Sequence, residues 1–561
     1  MMNRQRITDV RCLIKKIAAI IFLFGTIPCY LNAQSNLQSE VHSYLTDLPF
    51  EMTKIQLPEI PDRIFSILDY GAIGDGHVLN TDAFKRAIEA CYQAGGGKVI
   101  VPSGLWLTGP IKLESNINLH LKQGALIIFT PDHTQYPIIK MPKRGFGVTS
   151  PVYGFDLENI AITGDGIMDG FGDSWRPVKK FKTTDSQWKN LLKSGGVVDN
   201  KSNVWWPSQE AMEGAQYLKN LAASQKKNSL TAEDYLPARD YLRPYMVLLI
   251  NCKKVLLDGV TLRNSPKFTL VPNWCEDVVI RNVKVNNDWW AQNGDGIDIN
   301  CSKNVLIYKC TVTAGDDAIC MKSGQKNNAG EPSLSNIVIA DCIVYRGHGG
   351  FVIGSDTDGG MKNISVRNCN FIGTDIGLRF KSARDRGGLV ENIYVKKIYM
   401  NDIIHEAILF DTYYDDDSKA GNQNIHVTET TPRFEKFHLD SIYCIGAKQA
   451  VLINGLPEMP VKDITMANIF ISAYKGFEAI YATAFILKNI KIIPKQGGVY
   501  SFDRSKNIFI ENGYCPKGVN VFMKVMGKDT ENIRLVNTDL SCARVPVEYE
   551  SNSNKNVVKW K

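Results

Sequence analysis

NVLIYKCTV (Asn304–Val312), NIVIADCIV (Asn336–Val344), NISVRNCNF (Asn363–Phe371) and NIYVKKIYM (Asn392–Met400) are four versions of one phrase, returning after about 27 to 32 residues. Weaker copies begin at Asn159, Asp277, Asp463, Asn507 and Asn532. A period of this length is the mark of a solenoid or an array. Within each strong copy the apolar residues fall one, three, six and eight places after the Asn. That is strand alternation with a phase slip in the middle, so each phrase predicts two short strands joined by a bend. With a third strand before the next Asn and no helix between copies, the pattern predicts an all-β, right-handed parallel β-helix. A β-propeller would need longer blades of antiparallel strands. Cys310, Cys342 and Cys369 share one column of this register and read as stacked small buried residues, and the repeated Asn reads as a stacked turn residue.

The third strand carries the chemistry. Four segments, NGDGIDIN, GDDAICMKS, GHGGFVIGS and DIGLRFKS, align on Gly296, Ala318, Gly350 and Gly377. The next and third-next positions are apolar and point inward, whereas Asp298, Lys322, Arg379 and Lys381 point outward. Just before the small residue stand Asp295, Asp316, Asp317 and His348. Coils of a parallel solenoid stack about 4.8 Å apart, which brings Asp295 and Asp317 into one column and Asp316 and His348 into the next. Three converging carboxylates cannot all ionise freely, so one should be left as an acid beside one or two bases. Glycosidic cleavage uses that pairing, and an inverting hydrolase separates its acid and base by roughly 6.5–9.5 Å. Arg379 and Lys381 lie two coils from Asp317, about 10 Å away at the backbone, and an Arg with a neighbouring Lys suits the carboxylate of a uronic acid. Asp316 and Asp317 are consecutive, so both can face one groove only at a bend, which Gly315 allows.

Residues 1–33 run from a basic opening through the apolar IAAIIFLF to Leu31-Asn32-Ala33, the form of a secretory signal peptide. Export to the periplasm or outside the cell is therefore expected, with no membrane span. Pro28 before Cys29 argues against a lipidated cysteine. The formal charge of +7 falls to +3 once five basic residues and Asp9 of that segment are removed, which leaves no footprint for nucleic acid. The remaining plan is an extension over 34–60, one β-helix domain over 61–545 and a tail over 546–561. Thr81 is placed to cap a helix that would cover the open end of the solenoid. The charged insertion over 171–243, with Trp205 and Trp206 and a helix capped by Thr184 or Asp185, would wall one end of the groove.

Asn293-Gly294-Asp295, Gly315-Asp316-Asp317, Gly347-His348-Gly349 and Arg379-Phe380-Lys381 together resemble the four ordered signatures of the polygalacturonase family, glycoside hydrolase family 28. GAIGDG near the start and the RNSP run at Arg263–Pro266 extend the resemblance over about residues 64–540. It implies an inverting pectin hydrolase that needs no metal or other cofactor, an acidic polysaccharide as partner, and Asp316 as proton donor with Asp295 and Asp317 activating water. His348 would orient the acid, while Asn293, Arg379, Lys381 and Tyr414 would hold the uronate. Gly294 stands where Thr is common and Phe380 where an aliphatic residue is usual; neither position carries a polar role. A monomer cleaving from a chain end is expected. Rival readings are a hydrolase of rhamnogalacturonan or another decorated pectin, a calcium-assisted lyase using the same three carboxylates, and a non-catalytic adhesive β-helix. Asp298, Asp375, His405 and Glu406 occupy neighbouring columns as site residues or as surface.

Overall fold

A computed structural model describes residues 36–224, 229–327, 330–414 and 425–560; residues 1–33, with Cys29, where the sequence predicts a signal peptide, lie outside the described residues. Contacts divide the chain into two compact units, residues 1–55 and 56–561. In the first, residues 36–44 are helical. The second is the predicted all-β, right-handed parallel β-helix, built on ladders of 23 and 14 strands.

Each coil repeats the last because its buried residues stack on their counterparts. Val278, Val305, Ile337, Ile364 and Ile393 form one such column, paired in parallel from coil to coil. One continuous apolar core runs from Ile67 to Val558. The phase slip read in the phrase is made by the backbone: Lys309, Asp341, Asn368 and Lys397, five places after the leading Asn, have φ of 53° to 55°. That left-handed conformation turns the strand through a corner, and from Met361–Ile372 to Ala482–Pro494 the two half-strands join as one bent strand.

The leading Asn residues take the same conformation, with φ of 55° to 60° at Asn304, Asn336, Asn363 and Asn392. Asn tolerates it better than other non-glycine residues. Their amides form a ladder along the molecule: Asn336 Nδ2 donates to Asn304 Oδ1 at 3.2 Å, Asn363 to Asn336 at 3.1 Å and Asn392 to Asn363 at 3.3 Å. The cysteine column is a second stack. Cys310, Cys342 and Cys369 are buried free thiols donating to backbone carbonyls, and all eleven cysteines among the described residues are free.

The helix Thr81–Gln93 buries Ala83, Phe84, Ala87, Ile88 and Cys91 against the first coils. Asn80, not Thr81, stands at the cap position, and the Thr81 hydroxyl instead accepts from the Gly109 amide at 2.7 Å. The second helix starts with Thr184, whose side chain and that of Gln187 form a reciprocal capping box. It belongs to the insertion, which adds the helix Gln209–Ala223 and a three-stranded antiparallel sheet, Val178–Lys179, Val204–Trp206 and Val197–Asp199. Among the described residues no helix is long and apolar enough to cross a membrane.

Candidate active site

The site strands Ile297–Asn300, Asp317–Lys322, Gly349–Ile353 and Leu378–Lys381 are consecutive members of the 14-stranded ladder. Their pairing, Ile297 with Ile319, Ile319 with Phe351 and Phe351 with Leu378, gives the expected columns. The column of small residues is where the strand slips phase. Ala318 and Ile319, though adjacent, both enter the core, so Asp317 is turned outward onto the groove. Gly296 has no room for a side chain there, because a Cβ would lie 2.4 Å from the Ala318 carbonyl. Asp316 sits in the bend before the strand, which resolves how two consecutive Asp residues share one groove.

Asp295, Asp316 and Asp317 each offer an oxygen within 4.8 Å of the others. Their environments divide sharply. Asp317 is buried and accepts from Arg379 Nη1 at 3.1 Å and Lys381 Nζ at 2.8 Å. Burial alone would raise its pKa, but Lys381 and Arg379 outweigh it and hold the carboxyl far below the usual range. Burial likewise opposes ionisation of Asp316, yet the His348 Nδ1 contact at 3.0 Å brings its pKa below the ordinary value. Asp295 goes the other way. Burial first, then the negative charge of Asp298 and Asp316, push it well up, and its Oδ1 has no hydrogen-bond partner among the described residues. Crowding and partners thus divide the three carboxyls, with Asp295 raised and Asp316 and Asp317 lowered.

Lys322 ties the floor together, 2.7 Å from Asp298 Oδ1 and 3.4 Å from Asp295 Oδ2. Asp298 is fully buried, and burial raises its carboxyl to about 6 despite that ammonium. Arg379 and Lys381 were expected one sugar away from Asp317. Their long side chains instead reach back across two strand spacings to contact it, while both pack on the Tyr414 ring, at 5.5 and 4.7 Å from its centroid. Asn293 directs its carbonyl oxygen to Arg243 Nη2 at 2.8 Å. Asp375 joins the cluster through His348 Nε2 at 3.7 Å. His405 and Glu406 stand one strand further on, beyond Leu378–Lys381.

Two residues that sequence reasoning missed come from the insertion. Lys182 is buried, with its ammonium 3.3 Å from His348 Nε2 and from the Gly315 carbonyl and 3.4 Å from the Trp289 carbonyl. His348 therefore lies between the Asp316 carboxylate on its Nδ1 side and the Lys182 ammonium and Asp375 carboxylate on its Nε2 side. Arg243 closes the insertion with hydrogen bonds to the carbonyls of Gln292 and Pro266. Nothing in VKKFKTTD distinguishes Lys182 from its surface neighbours, and only the return path of the insertion brings it to the groove.

A parallel β-helix with clustered carboxylates on one groove floor defines a polysaccharide-cleaving class of protein. Residues 225–492 match the family described as Glycosyl hydrolases family 28. The solved structure of a hyperthermoactive exopolygalacturonase from Thermotoga maritima is 33% identical, with 78% of this chain and 91% of that one covered and a TM-score of 0.63. The exo-poly-alpha-D-galacturonosidase of Dickeya chrysanthemi is 28% identical over 412 residues, 70% of this chain and 64% of that protein. The endo-polygalacturonase of Pectobacterium carotovorum is 24% identical over 395 residues, 69% and 83% respectively. The chain belongs to glycoside hydrolase family 28. It is a polygalacturonase-like glycoside hydrolase.

Proposed function

We propose that the protein is an exported hydrolase that cleaves α-1,4-galacturonosyl linkages of pectic galacturonan from a chain end, with inversion and without a metal. The observation that carries the reading is the groove floor, where Asp295, Asp316 and Asp317 converge beside Arg379, Lys381 and Tyr414. Asp316 has a side chain 16% exposed, against 4% for Asp295 and 3% for Asp317, so it is the carboxyl that can touch a glycosidic oxygen. In this reading the proton resting on Asp295 passes to Asp316 as substrate displaces water, and Asp316 delivers it to the leaving oxygen. Asp295 and Asp317, then both ionised, take the proton of the attacking water. Arg379 and Lys381 share their charge between Asp317 and the substrate carboxylate. The insertion supports end-on cleavage, because Lys182 and Arg243 carry it up to the site. Two of the relatives above, those of higher identity, are named as exo-acting.

Unesterified polygalacturonate incubated with wild type and with Asp316→Asn, in the presence of a chelator, tests the reading. Saturated mono- or digalacturonate from wild type, lowered at least 100-fold in the variant, supports it. An unsaturated product would overturn the hydrolytic step, an early fall in viscosity would overturn the end-on step, and a proton NMR spectrum of the first-formed anomer reads inversion directly. Absence of product would move the substrate to rhamnogalacturonan or another decorated pectin.

A further inference from the structure

The two ends of the coil stack are finished differently. At the first, the helix Thr81–Gln93 lays its buried face on the core. At the last, cover thins. The strand Val545–Tyr549 has no fully buried residue and Val558–Trp560 has only Val558, whereas Val521–Met526 still buries Phe522, Met523 and Val525. A coil of a solenoid is held by its neighbours, so one with little buried surface is the first to open.

A pair of thiols lies at the root of that weak end. Cys515 and Cys542 stand 27 residues apart, following the paired strands Lys506–Glu511 and Glu531–Val536 of successive coils. The Cys542 Sγ donates to the Cys515 carbonyl at 3.1 Å, and the two thiols are themselves in hydrogen-bond contact. Backbone hydrogen bonds from Gly518 to the Cys542 carbonyl at 3.3 Å, and from Arg544 to the Val519 carbonyl at 3.1 Å, hold the two segments together. Other thiols also meet across coils, Cys252 with Cys275 and Cys342 with Cys369, but those pairs are sealed in the core. Cys542 is the one cysteine among the described residues that is not buried. Burial, and then contact with Cys542, push the Cys515 thiol up to about 12, so the more open Cys542 is the thiol that meets an oxidant first.

We propose that Cys515 and Cys542 are a disulfide-forming pair, oxidised in the exported protein by a disulfide donor of an oxidising compartment, and that the bond fastens the last coils to the stack. The chemistry is thiol–disulfide exchange. The Cys542 thiolate attacks the donor disulfide and releases one donor thiol, then Cys515 gives up its proton and attacks the Cys542 sulfur, releasing the second. Two protein thiols are oxidised, one donor disulfide is reduced to two thiols, and the two protons end on those thiols. The bond closes a loop spanning one coil, which keeps the terminal segment beside its partner when the strands open. The inference rests on the export reading given above, because a reducing compartment keeps such a pair as thiols.

The test equilibrates the full chain, folded, in a buffer of oxidised glutathione, then denatures, alkylates and digests it. Mass spectrometry should find one cross-linked peptide pair, Cys515 with Cys542, and alkylated core cysteines. Both residues recovered alkylated, or Cys542 recovered only as its glutathione adduct, would overturn the pairing. Limited proteolysis reads the fastening: the oxidised form should be cut after residue 515 about tenfold more slowly than the reduced form. Cys542→Ser should be cut at the reduced rate in either buffer, and should that variant fail to fold, the two forms of wild type decide. Equal rates for cross-linked and reduced wild type would overturn the fastening. Chain recovered outside the cytosol with both thiols free would overturn the inference and leave export standing. Chain recovered only from the cytosol would overturn the export reading, and with it oxidation in the cell, whatever the buffer shows.

Discussion

Lys182 shows how much of the chemistry depends on one side chain outside the motifs. Its ammonium faces the His348 nitrogen opposite Asp316, so it helps to hold the imidazole in place against the acid. Lys182→Met should lower kcat about tenfold with little change in KM, and Lys182→Arg should recover part of the loss; steady-state kinetics on trigalacturonate measure both. Lys322 bears on stability as well as chemistry. Lys322→Met leaves Asp298 and Asp295 buried without their cation, at a cost of about 3–5 kcal/mol near pH 7 by denaturant titration. The cost should shrink toward pH 4, where the unfolded chain also holds its carboxyls protonated near ~3.9 and the charge no longer has to be buried. Asp317 has the opposite sign: its lowered pKa stabilises the fold above the ordinary carboxylate range, and that contribution is lost as pH falls through the folded value. Asp295, Asp316, Asp317 and His348 were legible because four motifs repeat at one register. The division of charge among them was not, because it depends on the reach of Arg379 and Lys381 back to Asp317 and on Lys182.

At the scale of the element, the coil was legible wherever burial alternates. The bends were legible only as phase slips, although each is a left-handed residue such as Lys309 or Asn368. Asn336 sits in the middle of the amide ladder, donating to Asn304 and accepting from Asn363. Asn336→Ala removes both hydrogen bonds and places a Cβ-bearing residue without local hydrogen bonding at φ 59°, and should cost about 2–4 kcal/mol in a chemical melt. Asn336→Gly, which relieves the backbone but not the ladder, should cost less. The cap of the first helix was misplaced by one residue because Thr81 has a better partner in the Gly109 amide than in its own first turn. The insertion resisted reading for a different reason. Its strands are two or three residues long and antiparallel, and its helices pack locally, so no period extends into it from the coils.

For the whole molecule, the insertion is an attachment to a one-dimensional scaffold in which each coil is supported by its neighbours. Replacing residues 178–242 with a short glycine–serine link should leave the coils folded while removing Lys182 and the wall that the insertion builds beside the groove. The expected outcome is slower cleavage with mid-chain products, detected as an early viscosity drop and a ladder of oligomers. Part of the scaffold's bracing is uncharged. Its cysteine column is free thiol, and the rungs from Asn304 to Asn392 are amide on amide. The groove floor differs, for there burial raises Asp298 to about 6 and holds Asp295 well above the usual carboxylate range. A proton gained or lost at the groove floor leaves that uncharged ladder in place, so activity lost in this way should return with the proton and without refolding.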